Sequence, residues 1–149
     1  MTSAAAPPTQ NAHPEKQDAA RRIRDQVLDV LTSFPAVELA VLFGSVAQGR
    51  QRPDSDIDIA VDAGQVLTAA DKIALIKALA ARTGRPIDLI DLKAVSEPLL
   101  GQIVRHGRRL RGSDSAHGQL ISRHLFEQAD FMPYRSRILA ERRAAWIGT

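Results

Sequence analysis

The chain has 149 residues, 44% hydrophobic and 25% charged, with no cysteine and a formal net charge of +3. That length suits one domain with a buried core and an appendage, and the composition excludes both a disordered chain and a membrane span. Without cysteine there are no disulfides and no thiolate–zinc centres. The N-terminus lacks the basic-then-apolar order of a secretion signal, so the cytoplasm is the expected compartment.

Met1 to Pro14 is rich in Ala, Pro, Thr and Asn, has no apolar period and reads as a disordered tail. From Glu15 to Ser33 apolar residues recur at Ala19, Ile23, Val27 and Val30/Leu31, a helical spacing, with Arg21, Arg22 and Arg24 on the solvated side. Pro35 ends that helix region. Val37 to Phe43 reads as a buried strand that runs into Gly44-Ser45. Glycine there lets backbone approach a phosphate closely, and Ser45 adds a hydroxyl and an N–H at the start of the next turn.

With ten residues between, Ser45 is followed by Asp56-Ile57-Asp58-Ile59-Ala60-Val61. A strand returns to the same face every second residue, so Asp56 and Asp58 project together while Ile57 and Ile59 face the core. Two carboxylates held so close repel unless a cation lies between them. Hard oxygen ligands favour Mg²⁺, which takes its remaining ligands from water and substrate phosphates. Read from its residues, the stretch is a metal–triphosphate site.

Further on, Thr68 is the expected N-cap and Asp71 a first-turn acid of a helix with Ile73, Ile76, Leu79 and Ala80 on its core face. Gly84 is placed for a left-handed cap, and Pro86 prevents continuation. Pro86 to Leu92 reads as a short strand whose two acids, Asp88 and Asp91, fall on opposite faces, so at most one can join the metal site. Ser96-Glu97-Pro98 opens a helix carrying Leu99, Leu100, Ile103 and Val104. Arg105 and His106 lie at its negative end, where His106 is a dipole partner rather than a catalytic base, and Gly107 stops it. Arg108-Arg109-Leu110 suggests a short edge strand, and Gly112 to Ser115 a linker. Beyond it, Ala116 to Phe131 and Tyr134 to Trp146 read as two helices broken at Pro133. From Val104 to the end nine arginines face four acids, a surplus of +5 that favours an acidic partner surface, RNA or nucleotide phosphates.

The pattern Gly-Ser, ten residues, Asp-x-Asp closely resembles the signature of the polymerase-β-like nucleotidyltransferases, and within them the minimal nucleotidyltransferases of prokaryotic toxin–antitoxin pairs. The likeness runs from about Val37 to Leu110. It implies an α/β fold, a small mixed β-sheet flanked by helices, with a nucleotidyltransferase domain over 15–112 after the 1–14 tail and a C-terminal helical extension over 113–149. It implies that Asp56, Asp58 and Asp88 are the catalytic and metal-binding residues, holding two Mg²⁺ ions, with Asp88 accepting the proton of the attacking hydroxyl. Gly44 and Ser45 would bind the phosphates of ATP. The family pattern commonly has an arginine where this chain has Gln48, and Arg50 is the expected substitute.

The resemblance further implies transfer of AMP to a tyrosine hydroxyl of a cognate HEPN-domain ribonuclease toxin, with no membrane and no direct nucleic-acid partner. Part of the toxin contact is expected on the basic C-terminal extension, where Tyr134, Ile138 and Trp146 share a stripe. Two alternatives stand beside it: a small-molecule nucleotidyltransferase of the aminoglycoside type, and a non-enzymatic antitoxin that masks its partner. The clustered acids speak against masking alone. Arg111 and His117 have a spacing seen in HEPN ribonucleases, but around a Gly/Ser linker this reads as coincidence.

Overall fold

The computed structural model describes residues 14–50, 52 and 54–129. Their elements alternate: α1 (Pro14–Leu31), β1 (Leu39–Phe43), α2 (Gly44–Ala47), β2 (Ile57–Asp62), α3 (Ala69–Thr83), β3 (Ile87–Asp91), α4 (Leu99–His106) and β4 (Arg108–Arg111). A further helix, α5, runs through 114–129. The four strands form one mixed sheet in the order β3-β2-β1-β4. β1 is antiparallel to β2 and to β4, whereas β2 and β3, joined through α3, are parallel.

The period of two along each strand divides the core. Ala40 and Leu42 of β1 and Ile57, Ile59 and Val61 of β2 face α1 and α3, meeting Ile23, Val27, Leu31, Leu75 and Leu79. Leu39, Val41 and Phe43, with Ala60, face the other way and meet Leu100 and Ile103 of α4 and Leu120 of α5. The sheet is therefore covered on both faces, and β1 is buried along its whole length. The expected helix signals are present: Thr68 Oγ1 accepts the N–H of Asp71 at 3.1 Å, and Gly84 adopts φ 69° at the C-cap of α3. No helix among the described residues is long and apolar enough to cross a membrane.

Several expectations need correction. Pro14, assigned to the tail, opens α1, where its missing N–H has no intrahelical role. Ile73 is not on the core face of α3 but 52% exposed. The buried stripe is Leu75 and Leu79, and two residues of helix carry Ile73 about 200° round from Leu75. The Gly112–Ser115 linker already contains the start of α5: Ser113 Oγ accepts the N–H of Ala116 at 3.0 Å and caps the helix.

The basic surplus after Val104 is partly consumed inside the fold. Arg111 donates to the carbonyls of Leu31 and Phe34, and Arg123 to those of Leu92 and Val95 and to Glu127. His124, buried beside Arg123, bonds Glu97. These contacts tie α5 to the segment between β3 and α4. The Tyr134–Trp146 stripe and Pro133 lie outside the described residues, as do residues 1–13.

Candidate active site

The site forms at one end of the sheet, on the α4 face. β1 ends at Phe43, and the chain turns sharply into the four residues of α2. That turn requires φ +72° at Gly44, a conformation open to glycine and costly for other residues. A second demand falls on the same atom position. A Cβ on Gly44 would lie 2.1 Å from Oδ2 of Asp58. The missing side chain therefore makes room for the carboxylate. The first N–H groups of α2 have no intrahelical acceptor and remain available at this turn.

Asp58 lies opposite Phe43 in the antiparallel ladder and opposite Asp88 in the parallel one. Ile57 and Ile59, both fully buried, face α1 and α3 as expected, so Asp58 points to the α4 side. Partial burial, the charge of Asp88, hydrogen bonding to Asp88 and the charge of Asp56 push the Asp58 carboxyl up from 3.8 to about 6. Every one of those influences raises it. Asp56, the residue just before β2, is exposed and acts on Asp58 through its field.

Asp88 is exposed and shares the register line with Asp58, whereas Asp91 is buried and fully engaged elsewhere. Asp91 accepts the N–H of Leu67 and the N–H of Lys93, each at 2.9 Å, and so braces the loop that enters α3. Parallel pairing thus selects Asp88 as the acid next to Asp58. Among the described residues, no group of three acids or histidines is already drawn together tightly enough to enclose a metal ion. The arrangement is a close pair, Asp58 and Asp88, with Asp56 at its edge.

A pocket of about 440 Å³ opens in front of Asp58, lined by Phe43, Gly44, Gln48, Asp58, Gln102 and His106. Gln102 and His106 were missed as site residues. They stand one helical turn apart on α4, on the side of the helix that meets the pocket, and only the docking of α4 on β1 brings them there. His106 does lie in the last turn of α4, as its dipole reading requires, yet it also faces the site. The one available signal was a polar i,i+4 pair on an otherwise amphipathic helix.

Arg50 stays within the same turn. Its backbone N–H donates to the Ser45 carbonyl at 2.8 Å, and its guanidinium donates to Oε1 of Gln48. The positive charge is therefore held at Gln48, the position where the resemblance led one to expect an arginine.

The Polymerase beta, Nucleotidyltransferase family matches residues 25–116, which takes in the end of α1 and every element from β1 to β4. Protein adenylyltransferase MntA of Shewanella oneidensis is 40% identical over 81 residues, a match spanning 54% of this chain and 58% of that protein. A chain of a solved toxin–antitoxin with AMP-PNP superposes with a TM-score of 0.71 at 30% identity, over 81% of this chain and 98% of that one. A chain from tri-AMPylated Shewanella oneidensis HEPN toxin in complex with MNT antitoxin gives 0.63 at 26% identity, over 87% and 99%. With its Gly-Ser turn packed on the carboxylate pair and more than half of its length matched, this chain belongs to the polymerase-β nucleotidyltransferase family.

Proposed function

We propose that the chain is a Mg²⁺-dependent adenylyltransferase that moves AMP from ATP to a tyrosine hydroxyl of a cognate HEPN-domain toxin, and so acts as its antitoxin. The observation that carries this reading is the packing of Gly44 against Asp58 with Asp88 in register beside it. It is supported by the relative named a protein adenylyltransferase and by similar chains solved with AMP-PNP and with an AMPylated HEPN toxin. The cytoplasm is the compartment in which such a reaction meets its ATP.

The donor set fits the metal. Asp56, Asp58 and Asp88 offer only hard carboxylate oxygens, and Asp58, its pKa raised by partial burial and then by the charges of Asp88 and Asp56, is a carboxylate whose charge a divalent cation would offset. Bound there, Mg²⁺ would supply charge neutralisation of the triphosphate and a lowered pKa for the attacking hydroxyl. The protein's own part follows from its geometry. Gly44 and the N–H groups of the α2 turn present donors to phosphate oxygens, and Arg50, held at Gln48, adds positive charge beside them. Asp88, in register beside Asp58, would accept the proton of the acceptor hydroxyl. That oxygen forms its bond to the α-phosphorus as the bond to pyrophosphate breaks.

The test is the intact mass of a HEPN-domain partner co-expressed with the chain. Added AMP is expected with the wild type and none with an Asp58→Asn variant. A partner that is neutralised yet never gains AMP would refute the transfer and leave masking by binding.

A further inference from the structure

Across the sheet from Asp58, α1, the α2 turn and β4 enclose a second cleft, of about 490 Å³. Lys16, Arg21 and Arg24 reach it from α1 and Arg108 and Arg109 from β4, and no acidic side chain is among the described residues lining it. Leu42, Val46 and Leu110 form its apolar floor. Two of the arginines have partners outside the cleft. Arg24 meets Asp25 at 3.4 Å, and Arg109 meets Asp114, itself 97% exposed, at 2.8 Å. Ion pairs this exposed contribute at most about 1 kcal/mol and exchange readily for a ligand's carboxylate.

The cleft borders the reaction site at the α2 turn: Gln48 lines both cavities. We propose that this cleft binds an acidic, extended peptide segment of the acceptor protein, flanking the hydroxyl that is modified. The proposal rests on the protein acceptor argued above. Guanidinium groups pair with carboxylates in two-point fashion, and the aliphatic floor suits the intervening side chains of a peptide. A single-stranded nucleic acid fits less well, because no aromatic side chain among the described residues lines the cleft to stack on its bases.

The test uses the full chain and fluorescence anisotropy with three labelled probes: a peptide of Glu-Leu-Ser-Glu repeats, its lysine counterpart and a uridine oligoribonucleotide. Arg21 and Arg108 are both exposed, so their reversal leaves the core untouched. The acidic peptide is expected to bind wild type best of the three, and to lose roughly tenfold in affinity in an Arg21→Glu/Arg108→Glu variant. Neutral Arg21→Gln/Arg108→Gln should lose less, and added salt should weaken binding to the wild type. Binding of AMP-PNP with Mg²⁺ should be the same in all three proteins. Equal affinity of variant and wild type for the acidic peptide overturns the proposal, as does equal binding of the basic peptide. Tighter binding of the RNA would make the cleft a nucleic-acid groove, and loss of AMP-PNP affinity in the variants would make it part of the nucleotide site. Either result also overturns the proposal. Failure of the wild type to bind AMP-PNP refutes the reaction instead, and leaves the peptide comparison to decide the cleft.

Discussion

Replacing Asp58 with asparagine should make the metal-free protein more stable at neutral pH while abolishing transfer. Asparagine keeps the shape of the side chain, so the close approach to Gly44 is preserved and only the charge is removed. The folded state holds the Asp58 proton up to about pH 6, against 3.8 for an ordinary carboxyl. Folding therefore becomes less favourable as pH rises through that window, and the loss is complete above it. A shift of about two units corresponds to at most about 3 kcal/mol. Partial exposure and solvent screening reduce this to about 1–2 kcal/mol. For a chain of this length that is a rise in Tm of about 3–6 °C for Asp58→Asn at pH 7.5. At pH 4 the two proteins should melt nearly together. Added Mg²⁺ should stabilise the wild type and leave the variant almost unchanged. Calorimetry at both pH values, with and without Mg²⁺, makes the measurement. An equal gain at pH 4 and pH 7.5 would refute the burial and crowding of the Asp58 charge as its cause, and no gain at pH 7.5 would refute the raised pKa itself.

Two further outcomes follow from single contacts. Gly44→Ala places a methyl against Asp58 Oδ2 and forces φ +72° on alanine, so Tm should fall by the equivalent of about 1–3 kcal/mol. AMP-PNP affinity, read by titration calorimetry, should fall at least about tenfold with it, since about 1.4 kcal/mol lost at the turn corresponds to that factor. Arg123→Ala removes the bonds to the Leu92 and Val95 carbonyls, and should lower stability by about 1–3 kcal/mol in urea melts without changing AMP-PNP affinity. A matching loss of AMP-PNP affinity would place α5 in the active site and not only in its support.

The α2 turn was readable from the chain because its determinants are local. Gly44-Ser45 at the end of an apolar run, and Asp56 and Asp58 two apart before Ile59, specify a turn and a carboxylate face within a few residues of backbone. Thr68 and Gly84 likewise bracket α3 through hydrogen bonds that close within four residues. Packing decided the rest. Asp88 was chosen over Asp91 on a family pattern, and the physical reason is the parallel register that sets Asp88 against Asp58 and turns Asp91 to the Leu67 and Lys93 N–H groups. That register is set by a crossover through α3, and no spacing along the chain encodes it. Gln102 and His106 reach the pocket only because α4 docks on β1, and the basic cleft exists only because α1 and β4 flank the same turn. Arg111 and Arg123 showed in the composition as surplus charge, yet the fold uses both to satisfy buried carbonyls. A side chain's charge is written in the sequence. Whether that charge meets solvent, a partner or the protein's own backbone depends on contacts between segments as much as 80 residues apart.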